Sequence, residues 1–191
     1  MGNPAVFQFR LPDGSATYYL HWADPGFQIP VIAEWIAETL LAGGSLTLAS
    51  WEAWFVDHYV EEQTGLVRME RTKLTARTDP HVSHGALHRF RLTVTARSFE
   101  FEALSWMYNG GYWETVAVAR SARALLQEGV NQVRLLRRRA SSMRRARGLR
   151  PDQRSWVGSV SAYGDWLRQC EERVEKFDAA FPPPTGSGDA G

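Results

Sequence analysis

The sequence predicts an α+β fold: a small antiparallel sheet, two N-terminal helices and a long C-terminal antiparallel helical hairpin. Two rows of side chains predict the hairpin. Trp156, Val160, Tyr163, Leu167, Cys170, Val174, Phe177 and Phe181 recur at steps of 4 and 3, and so do Ala119, Ala122, Leu126, Gly129, Val133, Leu136, Ala140 and Met143. A mean step of 3.5 is the period of a left-handed helical seam. The sheet is predicted by period-two alternation. Phe90, Leu92, Val94 and Ala96 face one way, and Arg89, Arg91, Thr93, Thr95 and Arg97 the other, as in a half-buried strand with a basic outer face.

Taken in order, Ala5 to Arg10 and Ala16 to Trp22 are strand-like runs joined by Pro12-Asp13-Gly14, a hairpin turn signal. Ala23 to Gly26 reads as a loop. Pro30 suits the first position of a helix, whose face carries Ile32, Trp35, Ile36 and Leu40 until Gly43-Gly44 ends it. A second helix, capped by Thr47 or Ser50 and ending near Gly65, bears an apolar stripe of Trp51, Trp54, Phe55 and His58. Leu66 to Arg77 and Leu87 to Arg97 read as paired strands. A phase slip after Arg97 implies a bulge or turn near Arg97-Ser98, and Asn109-Gly110 closes a further hairpin.

The hairpin is read as spanning Glu114 to Phe181, with Val116 and Val118 joining its wide apolar start. Its seam opposes Met143 to Trp156 at one end and Ala119 to Phe181 at the other, so several of the smallest side chains meet the largest. Gly148-Leu149-Arg150-Pro151 is the connector, since Gly suits the residue past a helix end and Pro cannot continue one. The narrow stripe near that connector suggests an arm projecting into solvent. A break near Gly129 is the rival arrangement. Residues 1–113 thus form an α+β body, 114–181 the hairpin, and 182–191 a disordered Pro/Gly/Ser-rich tail.

The net charge of +1 conceals strong segregation. Residues 1–65 carry −7, residues 66–150 carry +11 and residues 151–191 carry −3. Arginine outnumbers lysine 20 to two, and nine arginines against one acid lie between Arg134 and Arg154. Asp165, Glu171, Glu172, Glu175 and Asp178 can flank Arg120, Arg123 and Arg134 across the seam, whereas the arginines near the connector have no such neighbours. One cysteine excludes an internal disulfide and fits a reducing compartment. With neither an apolar leader nor a long apolar run, the sequence reads as cytoplasmic and unconnected to a membrane.

Arginine clusters hold phosphates, so Arg137, Arg138, Arg139, Arg144, Arg145, Arg147, Arg150 and Arg154 form the candidate nucleic-acid-binding site. Arg89, Arg91 and Arg97 would extend it if they lay on the same side. The expected protein is non-enzymatic and uses no cofactor or metal. Its partner is DNA or RNA, or alternatively an acidic protein surface, and an exposed seam would allow a homodimer. A third reading is an enzyme with a metal site in the local cluster of His81, His84 and His88 with Asp79, although His81 and His84 sit in a loop, His88 opens a strand and no fourth ligand of known type is close. His21 with Asp24, and Asp57 with His58 and Glu61, are candidate acid–base pairs. The aromatic group Trp22, Phe27, Trp35, Trp51, Trp54, Phe55 and Tyr59 reads as core before ligand pocket. Arg137 to Ser141 also has the form of a basophilic kinase site, read here as coincidence. No P-loop, GxGxxG or nucleophile elbow is present.

Overall fold

The computed structural model describes residues 4–20, 23–58, 75–77, 86–107, 109–145 and 160–182; the side chains of 75–77, 144 and 145 lie outside that description. Strands β1 (Ala5–Leu11) and β2 (Gly14–Leu20) form the expected hairpin, with Gly14 at a φ of 146° that favours glycine. Helix α1 (Pro25–Leu41) starts earlier than Pro30 suggests. Pro25 occupies its first turn, and the Asp24 carboxylate caps it by accepting from Gly26 N at 2.8 Å, which leaves Pro30 inside the helix.

Helix α2 (Leu48–His58) uses both expected caps. Ser50 N donates to Thr47 Oγ1 and Thr47 N to Ser50 Oγ, each at 3.0 Å. Asp13, in the β1–β2 turn, also accepts from Leu48 N at 2.9 Å. The expected end near Gly65 lies outside the described residues.

The sheet has the order β3-β2-β1-β4-β5-β6, completed by β3 (Thr75–Arg77), β4 (His88–Val94), β5 (Phe99–Met107) and β6 (Tyr112–Ala119). It is mostly antiparallel, but β1 and β4 run parallel. The expected pairing of Leu66–Arg77 with Leu87–Arg97 is therefore corrected. β3 lies on the outer edge of β2, and β1 and β2 separate it from β4. The slip near Arg97 is a tight turn, with Thr95 N donating to Ser98 O at 2.9 Å. Asn109-Gly110 closes the β5–β6 hairpin, where Gly111 adopts a φ of 63°.

The C-terminal hairpin is present, but its first helix begins later. Residues 112–119 are strand β6, and α3 is Ala122–Arg145. Val116 and Val118 are exposed strand residues, and Val116 has no partner at the β-bulge between the Leu104–Thr115 and Ala103–Ala117 pairs. Ala119 is buried in the sheet instead of the helical seam. α3 is unbroken at Gly129 and packs antiparallel to α4 (Val160–Ala180). Along the seam Leu126, Val133, Leu136 and Ala140 are buried, as are Tyr163, Leu167, Cys170, Val174 and Phe177. Phe181, the predicted last member, is exposed, and Trp156 lies outside the described residues.

The hairpin is not a free arm over most of its length. α1 packs on it: α3 and α4 both lie against α1, and α1 and α3 meet the sheet. A Cβ at Gly129 would sit 3.3 Å from Pro30 Cα and Ala33 Cβ, and one at Gly26 would sit 3.2 Å from Leu136 Cδ2. Of the aromatic group, Trp35, Trp51 and Phe55 are buried in the resulting core and Trp54 packs against it; Phe27 packs on a smaller cluster, and Trp22 and Tyr59 lie outside the described residues. Trp35 stacks on Phe9 and meets Trp51 edge-on at 5.2 Å, and Phe7 stacks on Phe90 at 4.8 Å.

The two hairpin glycines should respond oppositely to substitution. Gly129→Leu crowds the α1 backbone and should destabilise the fold by about 2 kcal/mol. At Gly164 a Cβ meets only Arg137 Nε at 3.8 Å, so Gly164→Ala should gain about 1 kcal/mol from helix propensity alone. Chemical denaturation midpoints of the two variants measure both changes.

Candidate nucleic-acid interface

Arg137, Arg138 and Arg139 lie exposed on the C-terminal third of α3. Arg144 and Arg145 occupy its last turn. Arg147, Arg150 and Arg154 lie outside the described residues, as do the connector and residues 183–191.

Successive helical residues are about 100° apart, so the three central arginines fan around α3. Arg134, Arg137, Arg138 and Ser141 share the face beside α4 and, with Leu167 and Glu171, line an open groove of about 500 Å³. Arg137 crosses α4 at Gly164, where no side chain blocks it. Arg139 lies further round the helix, outside the groove lining. The (i, i+3, i+4, i+7) spacing of 134, 137, 138 and 141 was available as a sequence signal for this groove; reading the arginines as one undivided tip missed it.

The other arginines show what distinguishes this end. Arg123 makes two hydrogen bonds to Asp178, at 3.1 and 3.0 Å, and Arg134 pairs with Glu171 at 2.9 Å, both across the seam as expected. Arg120 instead reaches Glu100 in the sheet, and Arg168 pairs within α4 with Asp165 and Glu172. Arg173 is largely buried, hydrogen-bonds Glu34 and lies 3.6 Å from Glu38. Among the described residues no ion pair engages Arg137, Arg138 or Arg139.

A small apolar cluster supports the arginine-bearing end. Leu136, Ala140 and Tyr163 are buried together, with Phe27, Val160 and Trp166 packed against them. Phe27 stacks on Trp166 at 6.1 Å, which ties the start of α1 to the start of α4.

Arg89 and Arg91 do not extend the patch, and Arg97 is an exposed residue of the β4–β5 turn. Phe90 and Leu92 point into the core beneath the helices, so their neighbours Arg89 and Arg91 occupy the opposite face of the sheet. There Arg89 lies 4.2 Å above the Trp113 ring and Arg91 pairs with Glu102 at 3.1 Å.

The histidine readings also change. His88 Nδ1 lies 2.9 Å from Ser105 Oγ across the β4–β5 pair, and burial lowers its pKa. His81, His84 and Asp79 lie outside the described residues, among which no cluster of three or more metal-ligating side chains occurs. The partner of His58 is Glu38, at 3.2 Å, rather than Asp57; Glu61 and His21 lie outside the described residues. Asp24 serves as the cap of α1.

No protein-family model, curated protein or solved structure matches this chain. Among the described residues no helix is long and apolar enough to cross a membrane.

The seam gives the structure a pH signature. Burial pushes the Cys170 thiol from 9.0 up to about 12 and the Tyr163 phenol from 10.0 up to about 12, with smaller contributions from Glu171 and Asp24 respectively. Both groups hold their protons more tightly in the folded chain. Their contribution is therefore complete below the unfolded values and lost as pH rises through the folded ones. The thermal midpoint should fall as pH rises from about 9 to about 11, and Cys170→Ala should flatten the earlier part of that fall. Thermal unfolding followed by circular dichroism across this range checks both.

Proposed function

We propose that this is a non-enzymatic nucleic-acid-binding protein whose arginine-rich hairpin end contacts the phosphates of DNA or RNA. The observation that carries the reading is a contrast within one pair of helices. Arg123, Arg134, Arg168 and Arg173 each have a carboxylate partner, whereas Arg137, Arg138 and Arg139 are exposed and have none among the described residues. Several acids of the negatively charged N-terminal region are committed elsewhere. Asp13 and Asp24 cap helices, Glu52 accepts from Tyr18 Oη, and Glu34 and Glu38 hold Arg173. Asp24 lies near enough to the hairpin end to raise the Tyr163 pKa, but among the described residues none of these carboxylates pairs with Arg137, Arg138 or Arg139.

Arg144, Arg145, Arg147, Arg150 and Arg154 complete the proposed surface by sequence proximity. Binding is by charge, with little reading of bases, because contacts to phosphate carry no sequence information. A cytoplasmic location belongs to this reading.

Such a surface should release counterions on binding. If it engages about five phosphates, affinity should fall several hundred-fold between 50 and 200 mM salt. Reversing Arg139, Arg144 and Arg145 to Glu should abolish the remaining binding at moderate salt. Gel-shift titrations of double- and single-stranded DNA and RNA at increasing salt test this. Unchanged binding by the triple variant would refute the assignment. Tight capture of one acidic protein after nuclease treatment, without nucleic-acid binding, would replace it with the acidic-surface reading.

A further inference from the structure

We infer that the groove between α3 and α4 is a discrete seat for one phosphate group, held by Arg137 and Arg138, with Arg134 as its fixed cationic wall. The inference deepens the reading above, because it separates a built anion site from the general charge of the hairpin end.

Three observations converge on it. First, the groove has shape. Its volume of about 500 Å³ exceeds what a single phosphate needs and leaves room for an attached sugar or second phosphate. Second, its charge is organised. Arg134, Arg137 and Arg138 face one acid, Glu171, which leaves a net charge of +2 on the lining. Glu171 is already engaged, with its Oε1 2.9 Å from Arg134 Nη2, so it fixes that guanidinium while Arg137 and Arg138 stay open to an incoming oxyanion. A phosphate that displaced neither partner would meet two free guanidiniums and a third held in place. This is the geometry in which arginine surpasses lysine, because each planar fork can offer two parallel N–H donors.

Third, the groove is supported rather than incidental. Arg137 lies across α4 at Gly164, its Nε and Cζ 3.8 and 3.9 Å from where a Cβ would stand, so a residue without a long side chain at this position leaves the guanidinium room beside the groove. Leu167, largely buried in the seam, provides an apolar floor, and the Leu136–Ala140–Tyr163 cluster beneath holds the two helices in register. The floor excludes water from one side of the site, which strengthens charge-assisted hydrogen bonds there relative to an open surface.

A phosphodiester within a nucleic-acid backbone and a terminal phosphate monoester share this chemistry. Calorimetric titration of the full chain with inorganic pyrophosphate is the primary test. Saturable binding is expected, and Arg137→Gln with Arg138→Gln should weaken it about tenfold or more. Arg139→Gln, outside the groove, should leave it unchanged. Glu171→Gln removes the one negative group and releases Arg134, so it should tighten binding about threefold. Because all four side chains are solvent-accessible, these variants should retain the parental circular dichroism spectrum. Absence of pyrophosphate binding, or equal binding by the double variant, would overturn the site. If it fails while salt-sensitive nucleic-acid binding persists, the hairpin-end reading survives without the groove; if pyrophosphate binds and nucleic acid does not, the groove stands alone. Comparing 5′-phosphorylated with 5′-hydroxyl oligonucleotides assigns the source. Tighter binding of the phosphorylated strand identifies a terminal monoester, and equal binding identifies the backbone.

Discussion

The burial of α1 is the constraint on which the other helices depend. Most of its residues between Pro25 and Ala37 are inaccessible, including Ile29, Ile32, Trp35 and Ile36. A helix apolar on nearly every side must be covered on nearly every side. The sheet covers one face, through the stacking of Trp35 on Phe9 and its edge-on contact with Trp51. α3 covers another, and the close approach at Gly129 lets backbone meet backbone there. α4 takes the polar ridge of Glu34 and Glu38 through Arg173, whose charge is partly desolvated and whose pKa burial lowers. Losing either partner would leave the other charge stranded at low dielectric, so this pair fixes the position of α4 more firmly than a surface ion pair would.

Much of this was legible locally and little of it globally. The α4 seam follows the heptad pattern from Tyr163 to Phe177 because both neighbours of α4 approach from one side. The cap of α2 was equally readable, since Thr47 and Ser50 need only each other. The start of α3 was not. Val116, Val118, Ala119 and Ala122 fit a helical stripe as well as a strand, and only pairing with β5, bulge included, decides between them. Short apolar runs carry this ambiguity intrinsically. The parallel pairing of β1 with β4 was out of reach for another reason. It joins residues more than 80 positions apart, and no local pattern encodes which distant strand a half-buried strand selects.

The candidate site divides in the same way. That the arginines at the end of α3 would lack partners across the seam followed from the absence of acids in the facing stretch, and Arg137 to Arg139 conform among the described residues. That two of them flank a groove depended on facts with no sequence signature, namely where Arg137 crosses α4 and how Glu171 turns towards Arg134. The failure of Arg89 and Arg91 to join them is a matter of sides. Alternation in β4 correctly gave them a face, but placing that face relative to the hairpin required the helices to be assigned to the other side of the sheet.

The hairpin end also shows how so much like charge is tolerated. Adjacent arginines at helical spacing repel by a few tenths of a kcal/mol per pair, and the opposition is partly offset where they crowd the C-terminal end of α3, the negative pole of its dipole. That pole opposes an approaching phosphate, an opposition reduced by the antiparallel start of α4, which brings a positive pole to the same end. What remains to attract an anion is the guanidinium groups themselves. Their attraction is screened by salt, and its strength at short range depends on how each group is oriented. The stability of this end therefore rests on Leu136, Ala140 and Tyr163 below, and its chemistry on the arginines above, so the charges can be changed while the helices that carry them stay in place.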